Sequence, residues 1–470
     1  MYQLSHGLWR VRRALTVAGS DSGGGAGIQA DLKTFSSYGL HGMSAITCIT
    51  AQNTEKVAAI HVVPAEIVRE QIRVVVDDIG VDAVKTGMLY SADIIEAVSY
   101  ELRRVEAPIV VDPVAVAKSG ARLLTERAVK TLIERLVPIA TVVTPNAYEA
   151  ELLTGQQISD FDGQVRAAKA LSEMGAQAVV VKGGHLAGDS VVDVLYYRGR
   201  VVSLEAQRIQ TRDTHGTGCV FASAIAAGLA KGYNVVEAVE MAKKFVTESI
   251  AHALRLGRGH GPVHPTGATY ENSERFKVLS SLRRAVQLLT SSDKVARLIP
   301  ESQSNIAMAI EGAAGLEDVA ALPGRMVRVG EYVKPVMEPW FGCSRHVASA
   351  VLTVLKHDPK MRSAMNIRYG EDILEAAERL GLVISSYDRR AEPEEIKHVE
   401  GMTIPWGVEQ AVKGLGAVPD IIYHTGDVGK EAMTLVFGVD AVDVALKVLK
   451  IADKVGEKNN ILKEASSDDM

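Results

Sequence analysis

A short glycine turn in front of an apolar stretch constrains this chain more than any other feature. The run Thr214-His215-Gly216-Thr217-Gly218-Cys219 precedes small and apolar residues, 220–228, with the composition of a buried helix. A glycine-rich turn that opens a helix directs several unpaired backbone N–H groups to one point, and the helix dipole adds partial positive charge there. The sequence therefore predicts an anion hole built from Gly216, Thr217 and Gly218, of the kind that holds a phosphoryl group.

Short β-branched runs alternate with helical stretches from Ala14 onwards. Nearly continuous apolar runs indicate strands covered on both faces, as in a parallel α/β sheet. The polar ends of these strands share one edge, where open α/β sheets bind their ligands. The runs are Ala14–Gly19, Ala83–Met88, Ile109–Asp112, Thr141–Thr144 and Ala178–Lys182, with Gly19, Lys85, Asp112, Asn146 and Lys182 at or near their ends. One such residue alone is better explained as a cap or turn, but five together favour a site.

Composition and charge restrict the class of protein. A chain of 470 residues is too long for one ordinary core, so two domains are expected. The formal net charge of −5 disfavours a nucleic-acid surface, so no nucleic-acid partner is expected. No apolar run approaches the roughly 20 residues of a membrane helix, so no membrane partner is expected either. Three scattered cysteines, Cys48, Cys219 and Cys343, form no zinc pattern and indicate a reducing compartment.

The amino terminus shows no export signal. Residues 1–13 lack the apolar stretch and the cleavage site of a signal peptide, and they end in Arg10-Val11-Arg12-Arg13. The sequence therefore predicts a cytoplasmic protein with a frayed leader.

Two α/β patterns divide the chain. The first domain is predicted to span 13–265, followed by a linker and bridging helix over 266–302, a smaller α/β domain over 303–456 and a disordered tail over 457–470. The linker assignment rests on the composition of Pro265–Ser273, and the bridging helix on apolar residues at helical spacing between Arg275 and Leu298.

The second α/β pattern is read from the same signals. Candidate strands are Ile306–Ile310, Met326–Val329, Ala364–Tyr369, Leu382–Ser385 and Met433–Phe437, and candidate helices are 345–356, 371–380, 407–415 and 440–454. No internal repeat relates the two halves.

Four segments of the first domain, taken in order, carry a family resemblance. They are Gly19–Asp31, Thr144–Glu149, Lys182–His185 and Thr214–Cys219. Together they resemble the hydroxymethylpyrimidine/phosphomethylpyrimidine kinases of thiamine biosynthesis, within the ribokinase-like superfamily. The resemblance implies a mostly parallel sheet flanked by helices, ATP as phosphoryl donor and Mg²⁺. It also implies two successive phosphorylations, which give the pyrimidine monophosphate and then its pyrophosphate.

Cys219 stands where many ribokinase-like enzymes have the aspartate that takes the proton of the acceptor alcohol, and the pyrimidine kinases have a cysteine there too. A thiol at a helix amino terminus is expected to have a lowered pKa, which makes a thiolate base plausible. The alternative for a lone cysteine is a small buried apolar residue. A base that can be neutral or charged suits both steps, because only the alcohol has a proton to lose.

The resemblance also assigns the remaining residues of the kinase site. Gln52 is expected to address the ring nitrogen and amine of the pyrimidine, because an amide both donates and accepts. Gly19, Asp31 and Met88 are expected on the substrate side. Asn146 and Glu149 are expected to organise Mg²⁺, in part through water, although a carboxylate in the first turn of a helix is also a common cap. Asp112 is a further candidate for organising Mg²⁺. Candidates for nucleotide or phosphate binding are Asp112, Lys118 and Lys182.

The second domain carries another resemblance, to the ThiN-type thiamine-phosphate synthase domain, over about 304–453. The segments that carry it are Ala321–Arg325, Trp340–His346, Ala364–Tyr369 and Gly426–Glu431. The reaction implied joins the pyrimidine pyrophosphate to a thiazole phosphate and releases pyrophosphate. Its main requirement is to hold the leaving group, for which a guanidinium is well suited.

By this resemblance Arg325 and His346 are the expected essential pair of the synthase. Ser344 and the turn that contains Asp427, Gly429 and Lys430 are expected to bind phosphate.

Two alternatives stay open on the sequence alone. The second domain could instead sense a ligand, since similar domains occur fused to DNA-binding segments in thiamine regulators, but the acidic charge and the presence of Arg325 and His346 favour catalysis. The first domain could be a pyridoxal kinase, but Gln52 and the loop 19–31 favour the pyrimidine. Similar kinases are often dimers, so the resemblance allows a homodimer.

Overall fold

The computed structural model describes residues 11–115, 124–184, 188–397, 399, 401–427 and 430–467. The chain divides into two compact units, Met1–Tyr270 and Glu271–Met470. Each unit has hydrophobic cores of its own.

The described residues of the first unit form one nine-stranded sheet, in the order β3-β2-β1-β4-β5-β6-β7-β8-β9. The neighbours from β2 to β7 are parallel, whereas β3, β8 and β9 pair antiparallel at the two sides. The strands are β1 (Arg13–Asp21), β2 (His41–Gln52), β3 (Val57–Val62), β4 (Ala83–Thr86), β5 (Ile109–Val111), β6 (Val142–Val143), β7 (Ala178–Val181), β8 (Ser190–Tyr197) and β9 (Arg200–Gln207).

Helices cover both faces of this sheet, as predicted for a parallel α/β fold. They are α1 (Gly27–Ser37), α2 (Ala65–Asp78), α3 (Ala92–Leu102), α4 (Glu126–Thr131), α5 (Ala147–Thr154), α6 (Phe161–Glu173), α7 (Thr217–Ala230) and α8 (Val235–Ala251). Helices α2 to α6 pack on one face, with Val111 in that core, and α1, α7 and α8 pack on the other face, with Val110 in that core. Successive strand residues point to opposite faces, which explains why β5, β6 and β7 are apolar at every position.

The strand order fixes where a ligand can enter. From β1 the chain first adds β2 on one side and later adds β4 on the other. The loops that follow β1 and β4 therefore diverge and leave a crevice at the carboxyl edge of the sheet. Gly19 near the end of β1 and Lys85 in β4 lie at this edge.

The sequence did not predict β2, β3, β8 and β9. Many of their side chains are exposed or half-buried, so they lack the continuous apolar signal of the central strands. The β8–β9 hairpin turns at Arg198 and Gly199, which both have positive φ (52° and 75°), as a tight two-residue turn requires.

The second unit is a smaller α/β fold with a mostly antiparallel sheet. The described strands pair in the order β14-β11-β10-β15-β18-β17-β16, with β16–β17 the parallel pair among them, and β12 and β13 form a separate hairpin. The strands are β10 (Ile306–Ala309), β11 (Val319–Ala321), β12 (Met326–Val329), β13 (Tyr332–Pro335), β14 (Trp340–Phe341), β15 (Ser363–Arg368), β16 (Ile384–Ser386), β17 (Ile421–His424) and β18 (Met433–Gly438).

Helices also cover both faces of the second sheet. Helices α9, α11 and α14 pack on one face and α10 and α13 on the other. The helices are α9 (Gly267–Thr290), α10 (His346–Leu355), α11 (Glu371–Arg379), α12 (Glu394–Lys397), α13 (Thr403–Leu415) and α14 (Ala441–Ser467).

Two segments differ from the sequence prediction. The segment Pro265–Ser273, predicted as a linker, is helical from Gly267 onwards; this helix, α9, ends at Thr290 and is followed by a 3₁₀ turn at Val295–Leu298. Val278, Leu282 and Leu289 of α9 are buried in the core of the second unit, so this helix is an integral part of that unit. The predicted disordered tail, 457–470, is helical as far as Ser467, and 468–470 lie outside the described residues.

Among the residues that the structure describes, no helix has the length and apolar character needed to cross a membrane.

Candidate active sites

The anion turn predicted at 216–218 is formed in the structure. Gly216 precedes the first residue of α7 with φ +84°, and a Cβ atom there would collide with the carbonyl oxygen of Gly25. Only glycine satisfies both conditions. Thr217 Oγ1 donates to the Thr214 carbonyl at 2.7 Å, which closes the turn. The first turn of α7 therefore points its free N–H groups out of the carboxyl edge of the sheet.

A lysine and an aspartate stand next to this turn. A Cβ atom on Gly218 would lie 3.3 Å from Lys182 Nζ and 3.7 Å from Asp112 Oδ2. Lys182 Nζ donates to Asp112 Oδ1 at 3.1 Å, and Thr144 Oγ1 donates to the same oxygen at 3.2 Å. Burial lowers the pKa of Lys182, but Asp112 and Glu149 raise it above its usual value, so the lysine is charged. Lys118, predicted beside them, lies outside the described residues.

Asn146 and Glu149 cap helix α5 and also border the Lys182–Asp112 pair. The Asn146 N–H donates to Glu149 Oε2 at 2.8 Å, and the Glu149 N–H donates to Asn146 Oδ1 at 2.9 Å. The expected helix cap is therefore formed. Glu149 is nevertheless buried, with only 4% of its surface exposed. Burial and Asp112 raise the pKa of Glu149, Lys182 and the backbone N–H groups oppose them, and the result is a pKa of about 7. A buried carboxylate beside a second carboxylate favours the approach of a cation.

These oxygens fit Mg²⁺ as a water-mediated site. Among the described residues no group of three His, Cys, Asp or Glu side chains could enclose a metal ion. Mg²⁺ keeps several waters and needs only one or two carboxylates when a substrate phosphate supplies further oxygens. Asp112 and Glu149 satisfy that requirement at the edge where the anion turn opens.

Cys219 is the third residue of α7, but the expectation of a lowered thiol pKa is wrong. Burial, together with Asp31 and Asp112, raises the pKa of Cys219 to about 11, against the opposing effect of Lys85 and of the Gly27 N–H group. The helix terminus does not dominate, because desolvation of the thiolate is the larger effect at this position. Cys219 is therefore a neutral thiol at pH 7.

Asp31 was expected to contact the substrate, but its side chain is fully buried. Lys85 Nζ lies 2.9 Å from both of its oxygens, and the hydroxyls of Thr16 and Ser223 donate to it at 2.6 Å. A carboxylate that accepts four hydrogen bonds from three side chains and has no exposed surface has no free position for a substrate. The predicted contact has no support in this geometry; Asp31 holds Lys85 beneath Cys219.

The structure brings together three residues expected on the pyrimidine side. A Cβ atom on Gly19 would lie 2.8 Å from Cys48 Sγ and 3.6 Å from Met88 Sδ, so the Met88 side chain approaches the end of β1 closely. Gln52 ends β2, and one end of its side-chain amide lies 3.3 Å from His215 Nε2. Gly19 and Met88 thus adjoin near the end of β1, and the Gln52 amide lies at the end of the neighbouring strand β2.

In the second unit, Arg325 lies against the turn 301–303. It follows Gly324 with φ +70°, an uncommon conformation for a residue with a side chain, and its guanidinium donates to the Ser302 carbonyl. Glu431 accepts from the N–H groups of Glu301 and Ser302 at 2.8 and 3.1 Å. Arg325 and the segment that follows the predicted phosphate turn therefore meet at the same turn.

The predicted phosphate turn begins after β17. Asp427 and Lys430 exchange two backbone hydrogen bonds, of 3.1 and 2.8 Å. The Gly426 N–H donates to Nδ1 of His424, a buried histidine that the sequence analysis did not identify. Gly429 lies outside the described residues.

Ser344 and His346 lie at the start of helix α10, of which His346 is the first residue. The ring of His346 is exposed. Arg325 comes instead from the loop after β11, so the joint role of this pair stays a prediction.

Family comparisons agree with this geometry. Residues 21–264, more than half of the chain, match the family model of phosphomethylpyrimidine kinase. The chain belongs to the phosphomethylpyrimidine kinase family. Residues 281–450 match the family model of the thiamine-phosphate synthase ThiN. The second unit thus carries a ThiN domain in addition to the kinase domain.

Relatives of this kinase-family chain include single-domain and fused proteins. A hydroxymethylpyrimidine/phosphomethylpyrimidine kinase of Rhizobium meliloti is 52% identical over 254 residues, 53% of this chain and 96% of that protein. A thiamine biosynthesis bifunctional protein ThiED of Geobacter sulfurreducens is 53% identical over 252 residues, 53% of this chain and 51% of that protein.

Solved structures of kinases share the fold of the first unit. The ADP complex of Bacillus subtilis pyridoxal kinase is 41% identical, with a TM-score of 0.52, over 55% of this chain and 99% of that one. Staphylococcus aureus pyridoxal kinase in complex with AMP-PCP and pyridoxal is 35% identical, with the same TM-score of 0.52, over 55% of this chain and 94% of that one. The ribokinase-like fold is therefore confirmed, and ATP is supported as the phosphoryl donor.

Sequence reasoning missed two residues of the kinase site. Asp21 accepts hydrogen bonds from the N–H groups of Gly23, Gly25 and Ala26 and so holds the first glycine loop in shape. His215 stands in the anion-turn run and contacts both Asp21 and Gln52. The position of His215 in that run could have identified it as a site residue, but its partners Asp21 and Gln52 are distant in the chain and could not be predicted from the sequence.

Proposed function

We propose that this chain carries out consecutive steps of thiamine biosynthesis. The first unit transfers phosphoryl groups from ATP to hydroxymethylpyrimidine, giving the monophosphate and then the pyrophosphate. The second unit couples that pyrophosphate to thiazole phosphate, giving thiamine phosphate and pyrophosphate. The observation that carries the proposal is the anion turn of α7 placed against the Lys182–Asp112 pair at the carboxyl edge of the sheet.

Phosphoryl transfer requires charge neutralisation and positioning more than covalent chemistry from the protein. The N–H groups at the start of α7 donate to the oxygens of the transferring group, and Lys182 supplies a fixed positive charge beside them. Mg²⁺ would be held by Asp112 and Glu149, in part through water, and would supply further charge neutralisation at the phosphate oxygens.

Cys219 is proposed as the group that takes the proton of the acceptor alcohol. It follows Gly218 directly in the first turn of α7, and the Lys85 ammonium stabilises its thiolate form. The monophosphate acceptor is already an anion and needs no base. The two steps therefore share one anion turn but differ in their need for Cys219.

Gln52 is proposed to bind the pyrimidine through its ring nitrogen and amine, with Gly19 and Met88 beside the ring. Pyridoxal is the competing substrate, since the kinases of similar structure include pyridoxal kinases. Pyridoxal has no amine next to its ring nitrogen, so it cannot use both ends of the amide.

In the second unit, Arg325 is proposed to neutralise the departing pyrophosphate, because electrostatic stabilisation of developing charge is commonly the largest catalytic contribution. His346 and Ser344 are proposed to contact substrate, with the turn that contains Asp427 and Lys430 binding phosphate. Because Arg325 and the turn that contains Asp427 and Lys430 lie at the same edge of the sheet, one anionic substrate can contact both of them.

The cellular setting is proposed on narrower grounds. All three cysteines are free, which suits the reducing cytoplasm. A homodimer is proposed from the family resemblance alone, and light scattering on the purified chain measures it.

Product analysis on the full chain tests the proposed function. With Mg²⁺, ATP and hydroxymethylpyrimidine we expect the monophosphate and then the pyrophosphate, and with thiazole phosphate added we expect thiamine phosphate. With ready-made pyrimidine pyrophosphate, thiamine phosphate should form without ATP. A clear preference for pyridoxal over the pyrimidine would replace the kinase assignment, and binding of thiamine phosphate without its formation would indicate a sensor.

Arg325→Ala sharpens the synthase part of this test. We expect loss of most thiamine-phosphate formation while both kinase steps are unchanged. The matched control is Arg328→Ala in the hairpin that follows, whose exposed guanidinium donates only locally, to the Gly330 carbonyl at 3.1 Å. Equal losses in the two variants would remove the special role of Arg325.

A further inference from the structure

The first glycine loop is built around one buried carboxylate. Asp21 Oδ1 accepts from the Gly23 N–H at 2.8 Å, and Oδ2 accepts from the N–H groups of Gly25 and Ala26 at 3.0 and 2.8 Å. Burial raises the pKa of Asp21, but the hydrogen bonds from His215 and from the backbone outweigh it, so its pKa is lowered. Asp21 is therefore an ionised group that can only accept hydrogen bonds.

The His215 ring is fixed against this loop. A Cβ atom on Gly25 would lie 2.5 Å from His215 Cδ2 and 3.0 Å from Pro262 Cβ, so the ring fills the space that the glycine leaves. Nε2 of the ring lies 3.1 Å from Asp21 Oδ2 and 3.3 Å from the amide end of Gln52. A single ring nitrogen thus lies between a carboxylate and the amide that is proposed to bind the pyrimidine.

The position of the Nε2 proton decides how the Gln52 amide must face. Because Asp21 cannot donate, Nε2 carries the proton and donates to it. An N–H group facing an amide N–H group would be repelled, so the end of Gln52 that faces His215 is its oxygen. The two ends of an amide exchange without moving other atoms, and their assignment follows from the hydrogen-bond partners.

The contact of the second amide end of Gln52 with Thr50 supports the same orientation of the amide. The Thr50 hydroxyl lies 3.0 Å from the Ser20 carbonyl and 3.3 Å from the second amide end of Gln52. Its single proton goes to the carbonyl, so its oxygen is free to accept from the Gln52 NH₂ group. The Gln52 backbone is fixed as well, because Ser22 Oγ accepts from its N–H and donates to its carbonyl, both at 2.8 Å.

We propose that His215, held by Asp21, is a positioning residue that sets the direction of the Gln52 amide and thereby which way round the pyrimidine lies. The inference rests on the proposed kinase function of the first unit. His215 acts through Gln52 and takes no part in phosphoryl transfer.

The structure of the pyrimidine explains why the direction of the Gln52 amide matters for the orientation of the ring. In hydroxymethylpyrimidine the amine is next to a ring nitrogen on one side and to the carbon that bears the hydroxymethyl group on the other. An amide oxygen that accepts from the amine and an amide N–H that donates to the ring nitrogen fix one orientation of the ring. A reversed amide fits the ring turned over, with the hydroxymethyl group on the opposite side and away from Cys219. Without His215 both orientations bind, and one of them is unproductive.

A double-mutant cycle on the full chain tests the proposal, with His215→Phe, Gln52→Leu and their combination. Unproductive binding lowers kcat and KM by the same factor, and two orientations that bind equally leave half of the bound substrate productive. We therefore expect His215→Phe to lower both kcat and KM for the pyrimidine alcohol about twofold. The KM for ATP should stay unchanged. In the Gln52→Leu background the exchange at His215 should have no further effect.

A purely structural role of His215 in the anion turn would give the opposite pattern. The loss would then persist in the Gln52→Leu background, and the KM for ATP would rise; either result overturns the proposal. If the His215→Phe protein melts well below the wild type, Asp21→Asn carries the same test, because an asparagine can donate to Nε2 and so favours the reversed amide. Its effect should likewise vanish with Gln52→Leu. A wild-type chain that phosphorylates no pyrimidine overturns the proposed function itself, a result distinct from an uncoupled cycle in an active enzyme.

Discussion

Lys85 and Asp31 form an ion pair with no exposed side-chain surface, in which Nζ lies 2.9 Å from both carboxylate oxygens. The pair joins β4 to α1, and the Ser223 hydroxyl on α7 donates to the same carboxylate. Burial lowers the pKa of Lys85, but Asp31, Cys219 and Asp112 raise it well above its usual value. The pair is therefore charged, and it lies under the anion turn.

Removing one partner of this pair should be costly. Lys85→Met leaves the Asp31 charge buried and uncompensated, so we expect the free energy of unfolding of the first unit to fall by about 3–5 kcal/mol. The double variant Lys85→Met/Asp31→Leu should recover much of that loss. Hydrogen–deuterium exchange of peptides from β4 measures both.

The matched control for this experiment is Lys244→Met, which breaks an exposed ion pair with Glu248 at 4.0 Å. Exposed pairs contribute little, so this variant should be close to wild type. An equally small effect of Lys85→Met would contradict the buried-pair interpretation.

The raised pKa of Cys219 predicts a pH dependence of the alcohol step. A base with a pKa of about 11 is mostly protonated at pH 7, and its ionised fraction rises about tenfold per pH unit up to that value. We therefore expect the rate of alcohol phosphorylation to increase from pH 7 to pH 9, while the monophosphate step stays nearly flat. Separate assays of the two steps provide the comparison.

Cys219→Ala should abolish this slope and slow the alcohol step by roughly 10²–10⁴-fold, the usual contribution of general-base catalysis. The monophosphate step should lose much less. Equal losses in both steps would leave Cys219 as part of the anion turn and not as a base.

Gly218→Ala probes the space next to the anion turn. The new Cβ would lie 3.3 Å from Lys182 Nζ and 3.7 Å from Asp112 Oδ2, where the phosphoryl group must pass. We expect both kinase steps to fall on the order of 10²-fold, as when one donor of an oxyanion hole is lost, without loss of stability. Kinetic assays and thermal melting separate the two effects. Gly414→Ala, also in a helix but with open space around it, should leave activity unchanged.

His424 should make the stability of the second unit depend on pH. Burial, with a smaller effect of Arg389, lowers its pKa from 6.5 to about 4. Below pH 6.5 the unfolded chain binds a proton that the folded unit does not, so stability is fully present above that pH and is lost as the pH falls towards 4. Between pH 7 and pH 5 the loss should be on the order of 2 kcal/mol.

Urea unfolding followed by tryptophan fluorescence measures this loss, because Trp406 packs on Tyr387, which contacts the His424 ring. His424→Asn keeps an acceptor for the Gly426 N–H and should flatten the pH dependence. The control His357→Gln removes a partly exposed histidine paired with Glu409 at 2.8 Å and should retain it. A slope unchanged in His424→Asn would assign the effect to another group.

Local sequence patterns predicted the parts of the fold that are determined by residues close together in the chain. Strands β5, β6 and β7 of the first sheet are apolar at every position, and β1 and β4 carry apolar runs, because both faces are covered. This pattern is visible without a structure. The anion turn was equally visible, since Gly216 and Gly218 meet conformational and spatial requirements within one turn of chain. Strands with mixed exposure, such as β3 and β9, were missed because their burial depends on neighbours that the local sequence does not specify.

Only the tertiary structure decided the state and partners of the side chains in the site. The helix position of Cys219 predicted a lowered pKa, but burial of the thiol in the folded unit raises it. The sequence predicted that Asp31 contacts the substrate, yet its carboxylate accepts hydrogen bonds from Lys85, 54 residues away in the chain. His215 meets Asp21 and Gln52 across 194 and 163 residues of chain. Residue spacing predicts a functional arrangement only within one helix turn or one loop. The charge state, burial and hydrogen-bond partners of a side chain depend on contacts with residues distant in the chain, and these contacts form only on folding.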